Sequence, residues 1–430
     1  MLHAHHHTTG SRHSRFAYIA LVLMMTGLVI GLCAGTAEAT RSSARSVAMG
    51  GAQIGLAQGV DAGKFNPANL GLTDRRQTGL EIVGLGANIA NNAFTLDDYN
   101  TYTGAYLTND DKDYILSRIP DEGLKLDAHA EVAALSASNG PFAFTITGAG
   151  IADVNLSKDI FELVLNGNTF ADTISVDGSY SDAVSYVAAG LSYGHAVYSK
   201  GTRQLAVGVT ARYIRGIVVE QVVEMEGLAA TQFTGWEGEG RVILQTAEGG
   251  SGFGLDLGAA LKLNNDYTVG AVLENALGHI SWSNNPREYG YVFSFDTMNV
   301  DNMDEDYVTS DDYERDIESF STNLPRRLVV GFAKTSGTLR WAVDWEQGLE
   351  RKTGVSTEPR LAAGVEYSPI GLFPLRAGYA FGGDRNSGFS FGSGIHAAMV
   401  RLDFAVVTGN GFSGYSAKGA NLALSLGIHF

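Results

Sequence analysis

The sequence predicts an all-β fold, a transmembrane antiparallel β-barrel of about fourteen strands. Apolar and polar residues alternate with a period of two in many segments, and the connections between these segments alternate between short and long. Beyond the N-terminal leader there is no run of 18 apolar residues, so no helix is expected to cross a bilayer. Hydrophobic residues make up 45% of the 430 residues and charged residues 18%, with 54 glycines. This composition suits strands that have one apolar face and one polar face.

The leader has the three parts of an export signal. Arg12 and Arg15 stand before an apolar run over residues 16–34, and an Ala-x-Ala sequence follows at 37–39. A basic segment, an apolar segment and such a site are typical of a signal peptide. We therefore expect residues 1–39 to be removed during export. The alternative is a transmembrane anchor, since the apolar run is long enough to span a bilayer.

Charge and cysteine content exclude several classes of function. The net charge of −16 disfavours nucleic-acid binding, because no basic surface is available for phosphates. The single cysteine, Cys33, lies in the leader, so the mature chain has no disulfide, no Cys-ligated zinc and no thiol nucleophile. His195 and His279 have no recognisable nucleophile motif beside them. We predict that the protein is not an enzyme and has neither a cofactor nor a metal site.

The alternation of residues is clearest in segments 124–134 and 252–263. In the first segment, leucine, alanine and valine point one way and four polar residues point the other way. These polar residues are Lys125, Asp127, His129 and Glu131. In a barrel the apolar face meets lipid, and small or charged residues face the lumen. A soluble β-sandwich is the alternative, with the apolar face against a second sheet. No fixed-period repeat supports a propeller.

Segments of this kind, and the links between them, set the predicted topology. The strands are predicted at 78–89, 124–138, 141–149, 185–198, 203–214, 252–263, 267–280, 326–336, 338–346, 360–367, 374–382, 388–396, 398–407 and 421–430. Tight, turn-forming links fall at 138–140, 199–202, 264–266 and 336–337. Long polar connections fall at 90–123, 150–184, 215–251 and 281–325. Short periplasmic turns and long extracellular loops are typical of outer-membrane barrels.

The last strand resembles the C-terminal signal that the barrel assembly machinery recognises. Leu424, Leu426, Ile428 and Phe430 lie on one face, and the chain ends on the aromatic residue. An apolar edge strand with a free end is a template for strand pairing. The alternative is a final strand that ends in phenylalanine by chance. The prediction places the protein in the outer membrane, with its lipid and the assembly machinery as partners.

Residues 45–70 are rich in glycine and alanine and precede the first predicted strand. Three short elements stand out, Met49-Gly50-Gly51-Ala52, Asp61-Ala62-Gly63 and Asn66-Pro67-Ala68. With these elements the segment resembles the N-terminal hatch of FadL-type long-chain fatty-acid transporters and of the related PorV-type barrels. The resemblance implies a hatch at 40–75 inside a fourteen-stranded barrel at 76–430. Its site residues would be Asp61, Gly63, Asn66, Pro67 and Ala68. Fourteen strands enclose a lumen wider than side chains alone can fill.

The resemblance implies passive uptake of hydrophobic small molecules. The alternative is a PorV-like barrel that binds or shuttles surface or secreted partner proteins without small-molecule transport. Lumen-facing residues that are mainly small or charged weaken the uptake interpretation. The predicted lumen charges are Lys125, Asp127, Glu131, Asp256, Arg340, Asp344, Glu366, Arg376, Arg401 and Asp403. They either tune a pore or pair with one another and with the hatch.

The predicted loop at 288–318 is strongly acidic. It holds eleven Asp or Glu residues, whose oxygens could bind Ca²⁺. It lacks the glycine and the spacing of an EF-hand. A solvated loop and loose binding of divalent cations both remain open.

Overall fold

The structure, a computed structural model, describes residues 42–167, 173–298, 308–383, 387–409 and 416–430. The predicted signal peptide lies outside these residues. Within them, no helix is long and apolar enough to cross a membrane. The strands are β1 (Gly79–Asn91), β2 (Leu124–Asn139), β3 (Phe142–Leu156), β4 (Thr173–Ser175), β5 (Tyr180–Lys200), β6 (Arg203–Gln232), β7 (Gly235–Lys262), β8 (Tyr267–Met298), β9 (Val308–Asp316), β10 (Phe320–Asn323), β11 (Arg327–Ser336), β12 (Leu339–Gly348), β13 (Arg360–Tyr367), β14 (Leu375–Gly382), β15 (Gly388–Ala397), β16 (Val400–Gly409) and β17 (Gly419–His429). The helices are α1 (Ala44–Ala48), α2 (Gly59–Phe65), a 3₁₀ helix (Pro67–Gly71), α3 (Leu96–Tyr102), α4 (Asn109–Arg118) and α5 (Lys158–Asn166).

Fourteen strands of the described chain form a closed antiparallel ring. The ring contains all the strands except β4, β9 and β10, and each of its fourteen strands pairs with the next ring strand along the chain. Strand β17 pairs with β1, with Leu424 opposite Leu85, and this pairing closes the barrel. The predicted fold class and strand number are confirmed. We call the end with the short links, such as 139–142 and 200–203, the turn end, and the opposite end the loop end.

The wall follows the predicted alternation of outward apolar and inward small residues. In β7, Leu257 is 46% exposed, whereas Gly254 and Ala260 are buried on the inner side. In β2 the alternation slips at Leu135, which has a φ of +57°, and the pairing with β3 shifts there. Leu124 was expected on the lipid face. It is instead buried at the loop end, because Ala93 and Ile119 of the preceding loop pack on it.

The predicted loops at 215–251 and 281–325 are largely strand. Strands β6, β7 and β8 run for 30, 28 and 32 residues. At about 3.3 Å per residue, each spans roughly 100 Å, far more than a membrane crossing needs. Their outer parts pair with one another beyond the barrel, as an extended sheet with polar residues on both faces. The prediction was wrong because a sheet with polar residues on both faces loses the period-two signal.

Short helices cover the loop end. Helices α3 and α4 each begin with a capping box, formed by Thr95 with Asp98 and by Thr108 with Asp111. The Asp98 carboxylate also accepts a 2.8 Å hydrogen bond from the Tyr114 hydroxyl. Burial of Asp98 opposes its ionisation, but the bonds from Thr95 and Tyr114 outweigh burial and lower its pKa. These contacts hold the two helices against each other.

Candidate functional site

Residues 42–75, which we call the inner segment, lie within the ring of strands. Helix α1 contacts β14 to β17, α2 contacts β1 to β3 and β5, and the 3₁₀ helix contacts β5 to β7. Met49 and Leu56 are fully buried against small inward residues of the wall. These residues are Ala333, Ala342, Ala362 and Ala380. The inner segment therefore packs against strands on all sides of the barrel.

Asn66 connects the local fold of the inner segment to the barrel wall. Its Oδ1 accepts a 3.1 Å hydrogen bond from the Ala68 N–H and so begins the 3₁₀ helix, with Pro67 in the first turn. Its Nδ2 donates a 3.0 Å hydrogen bond to the Ala259 carbonyl of β7. The Asn-Pro-Ala element thus shapes the inner segment and also fastens it to a strand.

Asp344 of β12 holds a second part of the inner segment. One oxygen of its carboxylate accepts hydrogen bonds from the backbone N–H groups of Gln53, at 2.6 Å, and Ile54, at 2.8 Å. Asp344 is only 3% exposed. A buried turn cannot satisfy these N–H groups itself, so the wall carboxylate is the partner that they need.

A chain of ion pairs joins α1 to the wall near the turn end. Arg45 binds Glu366 at 2.9 Å, and Glu366 also binds Arg376 at 2.7 Å. Arg376 reaches Asp403 at 2.6 Å, and Asp403 in turn binds His396 at 2.9 Å. Four of these five residues come from the consecutive wall strands β13 to β16, which share one charge network with α1.

The other predicted lumen charges lie at several heights. Arg340 is a further partner of Glu366. Glu131 accepts a 2.8 Å hydrogen bond from the Ser42 N–H, at the start of the inner segment. Asp256 binds Arg212 at 2.6 Å. Lys125 and Asp127 lie in the loop-end part of β2, and Arg401 lines a cavity near the turn end.

Inward glycines let the inner segment approach the wall closely. The sequence places small residues on the lumen face, but it does not show which of them contact the inner segment. A Cβ atom at Gly364 would collide with the Met49 carbonyl oxygen, and one at Gly258 would collide with Asn66 Oδ1. At Gly208 it would collide with Pro67. The available signal for these contacts was the repeated occurrence of glycine at inward positions of the strands.

Helix α2 separates two spaces inside the barrel. Gly63 and Lys64 line a cavity on the loop-end side, and Val60 and Asp61 line one on the turn-end side. Lys64 forms an ion pair with Glu81 of β1. The Gly63 carbonyl accepts a 3.3 Å hydrogen bond from the Ser192 hydroxyl of β5. This seven-residue helix is the barrier between the two cavities.

The loop-end cavity has a volume of about 560 Å³, and its wall is mixed in character. Apolar side chains from β5, β6, β8 and the 320–325 segment form one part. They include Val184, Tyr186, Val219, Ile280 and Leu324. Charged and uncharged polar residues form the rest, among them Glu131, Arg212 and Thr147. A ligand here would meet both an apolar surface and fixed charges.

The turn-end cavity is smaller and polar. Its volume is about 250 Å³, and the Arg45–Glu366–Arg376 network lines it together with Arg401 and His429. Such a surface favours water and ions over apolar molecules.

In the acidic region, as in the rest of the described residues, no three His, Cys, Asp or Glu side chains come together as a group that could hold a metal ion. Residues 304–306 lie outside that part of the chain. Glu314 and Arg315 belong to β9 and pair with Arg287 and Glu288 of β8. The carboxylates of this sheet edge therefore meet arginines across the strand pair.

At the C-terminus, Leu424, Leu426 and Ile428 alternate along β17. Their neighbours across the strand pairs are apolar residues of β1 and β16. The Phe430 N–H donates a 2.9 Å hydrogen bond to the Thr78 carbonyl, and the ring is largely exposed. The predicted assembly signal thus forms the seam that closes the barrel.

A family whose description reads F plasmid transfer operon, TraF, protein matches residues 64–279, just over half of the chain. The chain belongs to this TraF family. A second family, described as a family of unknown function (DUF5723), matches residues 218–409. No curated protein matches this TraF-family chain.

Solved structures resemble the TraF-family barrel in fold. The toluene transporter TbuX of Ralstonia pickettii has a TM-score of 0.51 at 14% identity, covering 90% of this chain and 98% of that one. The toluene transporter TodX of P. putida has a TM-score of 0.50 at 13% identity, with the same coverage. At such low identity the likeness concerns the fold alone. It confirms the FadL-like fold that the sequence predicts, and the PorV-like alternative stays a prediction.

Proposed function

We propose that this chain is an outer-membrane barrel that admits hydrophobic small molecules passively, with the inner segment as its hatch. In this proposal residues 1–39 are a signal peptide, 40–75 the hatch and 76–430 the barrel. The observation that carries the proposal is the cavity of about 560 Å³ between the inner segment and the loop end. The names of TbuX and TodX, which describe toluene transporters of the same fold, support a small apolar cargo.

The proposed path runs from the loop end to the turn end. An apolar molecule would enter from the cell exterior and pack on Val184, Val219 and Ile280. This binding is favourable because it removes apolar area of the molecule from water. Helix α2 then blocks the way to the turn-end cavity. Passage requires α2 to move while Asp344 and Asn66 keep the rest of the hatch in place. No step in this path needs an energy source.

Filling the cavity tests the proposal. Thr147 of β3 lines the loop-end cavity, and Thr147→Trp should occupy part of its volume. In intact cells that carry the protein in the outer membrane, we expect uptake of labelled toluene to fall several-fold. Leu257→Trp, which adds the same ring on the outer face, should leave uptake unchanged. Equal uptake by both variants and the unmodified protein would rule out this cavity as the path.

The surface-partner alternative has one specific observation in its favour. The sheet formed by the outer parts of β6, β7 and β8 extends far beyond the barrel, and Phe233 at its tip is 94% exposed. A partner protein could dock on such a surface. This alternative predicts that function depends on the extended sheet, whereas uptake depends on the cavity and the hatch.

A further inference from the structure

The connection between β12 and β13, residues 349–359, crosses the loop end of the barrel. We call it the strap. A Cβ atom on Gly354 at its tip would lie only 2.8 Å from Cγ2 of Ile151 in β3. In the ring of fourteen strands, β3 lies six strands away from β12 and seven away from β13. The strap therefore leaves one side of the barrel and touches the opposite side.

The strap is the roof of the loop-end cavity. Residues 352–355 line this cavity, and so does Ile151, the residue on which the tip rests. Gly63 and Lys64 of α2 line the same cavity from the turn-end side. The cavity thus lies between the strap above and α2 below.

The base of the strap is fastened to the wall from which it leaves. The Leu349 N–H donates a 2.9 Å hydrogen bond to the Arg326 carbonyl, and the Arg326 guanidinium pairs with Glu350 at 3.2 Å. On the other side, the Gln347 side-chain amide donates a hydrogen bond to the Thr357 carbonyl. Both ends of the strap are therefore held close together beside β12.

The tip is a compact turn that rests on the far wall. The backbone N–H of Lys352 bonds to the Val355 carbonyl at 3.2 Å, and the N–H of Val355 bonds to the Lys352 carbonyl at 2.8 Å. Its contacts with the far side include Gly354 on Ile151 and the attraction between Lys352 and Asp182 of β5. A glycine offers few atoms for dispersion contact, and an exposed lysine gains little from pairing because water and salt screen it. The tip is thus less firmly held than the base.

We propose that the strap is the entry gate of the loop-end cavity. It bars the way from the loop end while Gly354 rests on Ile151, and it admits a cargo molecule when the tip swings away about the base at Arg326. This inference rests on the proposed uptake of hydrophobic molecules. It adds a gate at the entrance to the barrier that α2 forms at the exit.

A reversible cross-link between the tip and the far wall tests the proposal. The only cysteine of the chain, Cys33, lies in the predicted signal peptide, so cysteines introduced into the exported protein can join only each other. Gly354→Cys combined with Ile151→Cys places two thiols within reach of a disulfide. We expect uptake of labelled toluene by intact cells to fall several-fold on oxidation and to recover on reduction.

The matched control is Gly354→Ser combined with Ile151→Cys. It introduces a side chain of similar size at the same backbone position, where φ is +76°, but it forms no disulfide. Its uptake should respond to neither oxidation nor reduction. Mass spectrometry establishes that the disulfide forms, and heat-modifiable migration on gels establishes that the barrel is folded.

A shortened strap gives the opposite change. Replacing residues 351–356 with two glycines removes the tip and keeps the base, and we expect toluene to enter faster than through the unmodified protein. This variant decides the matter if the cysteine pair does not fold, and uptake that is no faster would then overturn the proposal.

Two results with the cysteine pair would also overturn the gate. In a folded barrel, absence of the disulfide after oxidation would place Gly354 away from Ile151, and unchanged uptake with the disulfide formed would show that cargo does not pass the strap. Either result leaves the uptake function standing. Uptake by the unmodified protein that is no greater than that of cells lacking it would remove the uptake function, and the gate with it.

Discussion

At the scale of residues, the barrel holds its inner segment through a few polar side chains whose partners are backbone groups. Asp344 could be recognised in the sequence as an inward charge of a strand. Its partners, the N–H groups of Gln53 and Ile54, lie about 290 positions earlier in the chain. Alternation reveals which way a side chain points, but it carries no information on what a separate segment brings to that place.

Removing the Asp344 carboxylate should loosen the inner segment. In Asp344→Ala two buried N–H groups lose their acceptor, and each such group costs about 1–3 kcal/mol. We expect a lower midpoint of thermal unfolding and more frequent openings in planar bilayers. Asp344→Asn keeps an oxygen acceptor, so its unfolding midpoint and its opening frequency should fall between those of Asp344→Ala and the unmodified protein. If Asp344→Ala unfolds at the same temperature as the unmodified protein and opens no more often, Asp344 does not anchor the inner segment.

Neighbouring positions of β7 should respond to substitution for different reasons. Leu257→Arg places a charge on the outer face and should destabilise the barrel by about 2–4 kcal/mol at the membrane midplane. From the sequence alone, Gly258→Asp is expected to be milder unless it meets the hatch. The structure places Asn66 against Gly258, so we expect Gly258→Asp to displace the inner segment and raise conductance. Heat-modifiable migration on gels reports barrel stability, and conductance reports displacement of the inner segment. If Leu257→Arg and Gly258→Asp gave the same result in both measurements, the assignment of Leu257 to the outer face and Gly258 to the inner face would be wrong.

At the scale of elements, the sequence predicts those strands that have an apolar outer face and an inner face of small or polar residues. It misses the outer halves of β6, β7 and β8, where water lies on both sides and polar residues occupy both faces. Packing there depends on contacts such as the Trp236 and Phe295 rings, whose centroids are 4.8 Å apart. Rings of this kind are typical of strand pairs and equally of loops, so their presence alone indicates neither.

Shortening the extended sheet should leave the barrel intact. Replacing residues 224–242 with a short turn removes outer parts of β6 and β7 but spares Val219 and Ala247, which pack near the cavity. We expect normal assembly and unchanged toluene uptake in cells. Loss of uptake on this truncation would contradict the proposed path, and loss of a surface partner with intact uptake would favour the alternative function.

At the scale of the whole molecule, a closed ring of strands surrounds a segment that touches the wall on all sides. The strand number, the closure by β17 and the likeness in fold to toluene transporters follow from patterns visible in the sequence. The division of the lumen by α2 does not, because it arises from Lys64 meeting Glu81 and from glycines at which two backbones touch. The central claim is that the inner segment closes a lumen that is otherwise wide enough to conduct.

Single-channel conductance after deletion of residues 45–70 tests this claim most directly. The deletion removes α2 and most of both α1 and the 3₁₀ helix, and leaves all strands of the ring. Heat-modifiable migration on gels first establishes that the shortened barrel is folded. We predict a conductance in planar bilayers well above that of the full-length protein, because nothing then separates the loop-end cavity from the turn end. A folded barrel with unchanged conductance would contradict the account.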